Sequence, residues 1–401
     1  MPWPRSLGVC ADLVYAEKDG RLWSNMAFGE YIAALGEHVE RLVIFGRAAD
    51  GPAAAECVHD LGDVAEFVAL PYYTSVADLP AVYRSIPEAS GRFAAHLPRL
   101  DCVWIFGPHP VSLRFVRLAR EAGVPVALGV RQDQPAYMRS RLTGVRRLIG
   151  VPYFDRLEKR WRRLAKELPS LTAGAQLADL YGGAPLARAT AFSLVREAAV
   201  AQAPVASARG GAIPADRPLR LLSVGRLDPE KNPMLMPRIV EQLQALEPQR
   251  NWKLTVVGNG PLEDDLRTAA APLGDALELA GYVPFGPELA RLYDESDILL
   301  HVSHTEGLPQ VLIESMAAGL PAVATDVGGV AAAVAGTGTP LVPADDAAAA
   351  ARAVIALAAD DAARGSVAEA GLVRAKQLSV ETQQREALAH IAAVHGKDGE
   401  S

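Results

Sequence analysis

The sequence predicts an α/β chain built from two doubly wound units in tandem, and three observations carry that prediction. The chain has 401 residues, more than one hydrophobic core usually fills. Short β-rich apolar runs alternate with longer helical patterns, the signature of βαβ units and a mainly parallel sheet. The alternation is broken once, at VAQAPVASARGGAIPADRP (200–218), a stretch rich in Ala, Gly and Pro without sustained period that reads as a linker. The expected division is therefore 1–200, a linker at 201–218, and 219–379. A last helix at 380–396 either closes the second unit or crosses back to the first.

In the first half, strands are expected at Ser6–Tyr15, Arg41–Phe45, Phe67–Tyr72, Asp101–Phe106, Val124–Val130 and Leu171–Ala173, with a further one at Ala189–Val195. Helical patterns at Met26–Gly36 and Ser112–Ala122 lie between them. In the second half, strands are expected at Leu219–Val224, Lys253–Val257, Leu277–Ala280, Asp297–Val302 and Ala322–Ala324. Helices at Met234–Leu246, Leu262–Ala271, Glu288–Glu295 and Pro309–Ala318 separate them. The Ala-rich stretch Asp346–Ala363 has good helix propensity and reads as one helix.

Composition narrows the function classes. Half the residues are apolar and the net charge is −7, so a general nucleic-acid binder, which would be basic, is not expected. Cys10, Cys57 and Cys102 are scattered in or near apolar runs, as buried thiols rather than disulfides or zinc ligands. Pro2, Pro4 and Asp12 interrupt the apolar stretch a signal peptide would need, and no uncharged apolar run is long enough for a membrane span. A cytoplasmic protein is expected.

Sites in such sheets lie outside the carboxyl ends of the strands. LLSVGRLDPEKNP places Gly225, Arg226 and Lys231 between a strand and a helix. The two cations could converge on a diphosphate, or be solvated loop charges. VVGNGPLEDDL repeats the pattern with Gly258, or is a plain tight turn before a proline-started helix, whose first turn suits Glu263, Asp264 and Asp265. In HTEGLPQVLIESMAAGLP, Glu306 and Gly307 occupy a loop, Pro309 can start a helix, and Glu314 lies more than one turn inside it. A helix start there would offer an anion site. Carboxylates flanking a phosphate make sense as acceptors from hydroxyls on either side of it, the layout of a nucleotide sugar.

The spacing Glu306-x7-Glu314, with VGRLDPEKN, VVGNGPLEDDLR, LAGYVP and LYDESDILLHVSHTEGLPQVLIESMAAGLPAVATDVGG in that order, resembles the retaining GT-B glycosyltransferases, family 4 in particular, over Leu219 to Gly329. The resemblance implies two Rossmann-like domains facing a central cleft, with a donor-binding second half and an acceptor-binding first half. It implies that Arg226 and Lys231 hold the donor diphosphate, that Glu314 binds the ribose hydroxyls, and that Glu306 with Gly307, Leu308 and Pro309 holds the transferred sugar or its phosphate. The main chain around Tyr282 and Val283 would meet the base. Retention by front-face attack is likewise implied. No cofactor or metal is expected, the nucleoside-diphosphate sugar being a substrate. The acceptor hydroxyl is unidentified.

The first half resembles the family only in its βα rhythm. Where relatives have a glycine-rich loop after the first strand, this chain has EKDGRLWSNMAFGEY, making Gly20 and Arg21 candidates for phosphate or acceptor contact against an ordinary turn. His109 follows the strand ending at Phe106, where relatives place a histidine near the transferred sugar; a plain loop histidine is the alternative. Arg131, Gln132 and Asp133 occupy the equivalent place one strand on and are acceptor candidates. A metal site of His301, His304 and Glu306 is disfavoured, because His301 falls in a strand run. Residues 137–167 carry ten Lys/Arg against three Asp/Glu, with Tyr137, Met138, Leu142, Leu148, Ile149, Phe154 and Trp161 interleaved. They suit either peripheral contact with an anionic membrane or a solvated basic helix packed by its apolar face. A nucleotide-sugar epimerase on the same fold, or an inactive nucleotide-sugar-binding subunit, are the rival readings.

Overall fold

The computed structural model describes residues 3–62, 66–135, 139, 144–183, 185–202, 211, 213–214 and 216–396, the side chains of 145–147 and 149 excepted. It divides into two compact units, Met1–Leu194 with Val380–Ser401, and Val195–Ser379. Residues 203–210, 212 and 215 of the expected linker lie outside the described residues.

The first unit is a parallel sheet with an antiparallel extension. Its strands are β1 (Ser6–Lys18), β2 (Arg21–Ser24), β3 (Arg41–Ala48), β4 (His59–Asp60), β5 (Glu66–Leu70), β6 (Cys102–Phe106), β7 (Val126–Val130), β8 (Ser170–Ala173) and β9 (Ala187–Thr190). β1 pairs in parallel with both β3 and β6, and the order continues β6-β7-β8-β9 on one side and β3-β5 on the other. The chain therefore reverses its direction of winding between β1 and β6, which makes their carboxyl ends a switch point. β6 and β7 are buried at every position, as expected of strands covered on both faces. Alternate residues feed two cores: Phe45, Val103 and Ile105 on one face with Phe93 and Phe115, and Ile44, Trp104 and Phe106 on the other with Ile32 and Ile391.

Ile391 belongs to the helix Val380–Val394, which returns to this unit. Gln383 Oε1 accepts from the Ala191 amide (2.7 Å) and Thr190 Oγ1 (3.1 Å), and Gln384 donates to the Tyr31 carbonyl (2.6 Å). These buried bonds satisfy polar groups that a helix on an apolar sheet face would otherwise strand.

Two expectations for the first unit are corrected. β1 does not stop at Tyr15: it runs to Lys18 and turns through Asp19 and Gly20, both at positive φ (52° and 74°), into antiparallel β2. Asp-Gly at such positions favours a two-residue hairpin, so the loop that was a candidate for phosphate or acceptor contact, against an ordinary turn, is a hairpin tip. The strand expected at Ala189–Val195 begins and ends earlier, at Ala187–Thr190. Of the basic segment, Tyr137, Met138 and Leu142 lie outside the described residues. Within the helix Gly144–Leu164, Phe154 and Trp161 are buried in the unit, while Leu148 is 76% exposed. The apolar face of its described part is mostly spent on packing.

The second unit is a parallel sheet of β10 (Leu219–Val224), β11 (Trp252–Val257), β12 (Leu277–Gly281), β13 (Ile298–His301), β14 (Ala322–Thr325) and β15 (Leu341–Val342), ordered β12-β11-β10-β13-β14-β15. Its switch point lies between β10 and β13. The Ala-rich stretch is two helices, Ala347–Ala359 and Asp361–Gln377, because Asp360 is extended and its carboxylate caps the Ala363 amide (2.9 Å). Buried Arg364 then donates to the carbonyls of Leu357 (3.2 Å) and Ala358 (2.5 Å) at the end of the preceding helix. Among the described residues no helix is long and apolar enough to cross a membrane.

Candidate functional site

In the second unit, the loops after β10 and β13 meet at the switch point. Gly225, Arg226 and Leu227 leave β10, and a short turn Pro229–Lys231 ends at Asn232, which is left-handed (φ 50°). The turn after β11 lies directly on this loop. The Gly225 amide bonds the Val257 carbonyl (2.9 Å) and the Leu227 amide bonds the Asn259 carbonyl (2.8 Å). A Cβ at Gly258 would sit 1.8 Å from the Gly225 oxygen. Gly258 is therefore required by backbone packing, which brings the two loops together.

Glu306 sits at the centre of the site. Its Oε1 accepts from Lys231 Nζ (2.6 Å), Ser303 Oγ (2.7 Å) and His301 Nε2 (3.1 Å). Burial pushes the carboxyl upward, but the His301 bond and the Lys231 charge outweigh it and hold it down at about 2. Its main chain is fixed too: Gly329 donates to the Glu306 carbonyl (2.9 Å), and a Cβ at Gly328 would fall 2.0 Å from that oxygen. Gly307 has open space where a Cβ would stand. Pro309 is extended and caps the helix Gln310–Ala317 from outside, so the helix starts one residue later than expected and no side chain caps it.

A cavity of about 200 Å³ opens here, lined by Gly225, Arg226, Lys231, His301, Glu306, Leu308 and Pro309, among others. Both expected cations reach it, but neither is bare. Arg226 is paired with Asp228 and with Glu230 (2.8 Å), and Lys231 with Glu306. A phosphate binding there would exchange with these carboxylates. Glu314 lies apart, half-buried, with Oε2 accepting from Tyr293 Oη (2.8 Å). Burial raises its carboxyl and the Tyr293 bond offsets this only in part. Tyr282 (68% exposed) and Val283 follow β12 beyond Gly281, whose carbonyl accepts from the Gly258 amide (2.8 Å).

His304 turns away from Glu306, with Nε2 on Asp345 Oδ1 (2.9 Å) and Nδ1 on the Pro229 carbonyl (3.2 Å). Among the described residues no three His, Cys, Asp or Glu side chains gather as a metal site. Sequence reasoning missed Ser303 and Tyr293, and considered His301 only as a disfavoured metal ligand.

The first-unit candidates are dispersed. Gly20 is at the hairpin tip and Arg21 pairs with Asp60 (3.0 Å). His109 caps the helix Pro110–Glu121: its Nδ1 accepts from the Val111 amide (3.3 Å), so the proton is on Nε2, which faces Tyr73 Oη (3.4 Å). Burial lowers the basicity of this imidazole. Arg131, at the end of β7, lies over the Phe28 ring (4.0 Å), and burial lowers it to about 10. Gln132 bonds Gln134 (2.8 Å), and Asp133 acts electrostatically on Arg162.

Residues 218–360 match the model of the glycosyl transferases group 1 family. The chain is 38% identical over 123 residues to an amylovoran biosynthesis glycosyltransferase of Erwinia amylovora, covering 28% of this chain and 29% of that one. It is 35% identical over 181 residues to a D-inositol 3-phosphate glycosyltransferase of Kineococcus radiotolerans, covering 41% of each. The chain thus spans less than half the length of these two relatives. Among solved structures, HepE of Anabaena in complex with UDP-glucose superposes with a TM-score of 0.63 at 14% identity, over 97% of this chain and 99% of that one. The two-domain α/β architecture with parallel sheets is that of the GT-B glycosyltransferases, and its second unit carries a glycosyl transferases group 1 domain.

Proposed function

We propose that this chain is a retaining, family 4-like glycosyltransferase that moves a sugar from a nucleoside-diphosphate sugar to an acceptor hydroxyl. The observation that carries the reading is the cavity at the β10/β13 switch point, where Arg226 and Lys231 meet Glu306 beside an uncapped helix start. In this reading the two cations take the diphosphate as its charge grows on departure. Positive charge that a metal supplies in other transferases comes here from the side chains and the helix end, and no cofactor takes part. Glu306, with one oxygen filled by three donors, offers the other to a hydroxyl of the transferred sugar. Glu314 accepts from the ribose, and the main chain at Tyr282 and Val283 meets the base. The leaving diphosphate, on the same face as the incoming hydroxyl, receives its proton, which leaves the anomeric configuration unchanged. The first unit binds the acceptor. Peripheral contact with anionic lipid through 137–167 would rest on its arginines, since Phe154 and Trp161 are buried.

A thermal-shift panel of UDP, GDP and ADP tests the donor site. At least one raises the melting temperature of the wild type, and Arg226→Ala abolishes the shift. Equal shifts in both proteins overturn the assignment. Proton NMR of the product decides stereochemistry, and an inverted linkage overturns retention. Isomerised donor formed without acceptor would replace transfer by epimerisation. Co-sedimentation with phosphatidylglycerol vesicles tests the lipid contact, and the absence of salt-sensitive pelleting ends it.

A further inference from the structure

The switch point of the first sheet holds a polar cluster that no sequence motif marks. The parallel register of β1 with β3 is interrupted between Cys10 and Val14, which pair with Phe45 and Arg47. Three residues of β1 thus face a single residue of β3, a bulge of the kind that re-aims a side chain. Asp12 is the polar residue so turned out, two residues beyond Cys10, where the pairing of β1 with β6 ends.

Its partners come from three other strand ends. Asp12 Oδ1 accepts from Tyr73 Oη (2.6 Å), just beyond β5, and pairs with Arg47 Nε (2.9 Å), near the end of β3. Tyr73 in turn faces His109 Nε2 beyond β6 and stacks on that ring (5.8 Å between centroids, 12° apart). Arg47 is 9% exposed at its side chain and is otherwise consumed by the fold: it donates to the Tyr73 carbonyl and lies over the Tyr73 ring (4.5 Å). These contacts fix Oδ1 and leave Oδ2 without a partner among the described residues, on a side chain that is 23% exposed. A small cavity of about 30 Å³ adjoins the side chain, lined by Asp12, Arg47, Tyr73 and His109 together with apolar residues such as Phe45, Leu70 and Phe115.

A buried aspartate–arginine pair that served only packing would be expected to use both carboxylate oxygens, because an unfilled acceptor in a low-dielectric site is costly. Here one oxygen is held by an arginine and a tyrosine whose own orientations are fixed, and the other faces open space at the place where doubly wound sheets bind ligands. We propose that Asp12 is the residue of the first unit that binds the acceptor, its Oδ2 receiving a hydrogen bond from a hydroxyl of a polyol, a sugar or cyclitol, with Tyr73 and Arg47 as positioning residues. An acceptor-only oxygen selects a hydroxyl donor and rejects a phosphate or carboxylate at this point. Burial pushes the Asp12 carboxyl upward, but the groups around it, Arg47 and the Tyr73 hydroxyl among them, outweigh it and keep it ionised at neutral pH. It orients the hydroxyl and does not keep its proton. The inference rests on the glycosyl-transfer reading and deepens its acceptor side.

The test uses the full chain with UDP-glucose and GDP-mannose as donors and a panel of glucose, mannose, myo-inositol and glycerol. Nucleoside diphosphate release is followed as each polyol is varied. In the wild type at least one polyol stimulates release. Asp12→Asn raises the KM for that polyol about 10- to 100-fold, with a smaller change in kcat, as expected for loss of a charge-assisted hydrogen bond to the substrate. It keeps the nucleotide thermal shift, which reports the second unit alone. Tyr73→Phe, a milder change should Asp12→Asn fold poorly, raises the same KM by a few-fold. An unchanged KM in both variants, with only a lower melting temperature, makes the pair a packing device and overturns the proposal. Absence of any polyol effect on a wild type that still binds nucleotide overturns it too. Absence of the nucleotide shift itself overturns the transferase reading instead.

Discussion

Glu306 and Glu314 share one short loop-and-helix segment yet sit in opposite electrostatic settings. Glu306 is 6% exposed at its side chain and receives three donors on one oxygen, one of them a lysine. Glu314 is half-buried and receives Tyr293. The first carboxyl is held at about 2 and the second is raised above its ordinary value. Burial acts on both in the same direction. The difference is whether a full positive charge and enough donors are present to overcome it. Glu306 therefore belongs to the scaffold of its loop as well as to any ligand, whereas Glu314 is an acceptor held at some cost in the absence of one.

The largest expected effect follows from removing the better-served carboxylate. Glu306→Ala strands Lys231, His301 and Ser303 at once. Breaking a buried pair by deleting one partner costs about 3–5 kcal/mol, and the partial exposure of Lys231 lowers this to about 2–3 kcal/mol. Urea unfolding measures this, and transfer falls at least about 100-fold if the residue also contacts the sugar. A stability change below about 0.5 kcal/mol would show that the three bonds are incidental.

The pH dependences separate the two glutamates by sign. The folded value of Glu306 lies below its unfolded one, so its contribution is complete above about 4.5 and is lost as pH falls toward about 2. The stability gap between wild type and Glu306→Gln therefore narrows over that window. The folded value of Glu314 lies above its unfolded one, so the cost of its charge is present at neutral pH and disappears on acidification. Glu314→Gln is expected to be more stable than wild type at pH 7, with the gap closing as pH falls below the ordinary carboxyl range, and to bind nucleoside diphosphate about tenfold more weakly. A Glu314→Gln protein less stable than wild type at pH 7 would remove the contrast. Lys231→Ala lies between: Glu306 keeps His301 and Ser303, so stability falls by about 1 kcal/mol, while nucleotide affinity falls about 10-fold or more by calorimetry.

The parts of the fold that were legible in sequence are those set by local pattern. The central strands β6 and β7 are continuous apolar runs, and β10 begins and ends where its pattern does. The hairpin at Asp19-Gly20 carries its own turn signal, and an ordinary turn is one of the two readings the sequence leaves open there. Asp360 split the Ala-rich segment because an aspartate capping a helix outweighs the propensity of the alanines around it. Within the site, Ser303 is only three residues from Glu306, and its contribution could have been read from strand-end geometry. Lys231 reaches Glu306 across 75 positions, and Asp12, Arg47, Tyr73 and His109 come from four different strands or the loops just beyond them. Such convergence is created by the order of strands in a sheet, and no spacing along the chain encodes it.

The smallest expected effect bears on the weaker of the two carboxylates. Tyr293→Phe removes the hydroxyl that donates to Glu314 and leaves the ring in its buried place. Hydrogen bonding to the ionised form favours it, so losing the bond raises the Glu314 carboxyl further. If the ionised carboxylate is what meets the ribose, nucleotide affinity at pH 7 falls about threefold to tenfold, and on acidification it begins to fall at a higher pH than in wild type. Glu314→Gln flattens that same profile, because an amide does not titrate. Titration calorimetry across pH 5 to 8 on the three proteins reads both effects. A Tyr293→Phe profile superimposable on wild type would mean that Tyr293 only fills space and that Glu314 is set by burial alone.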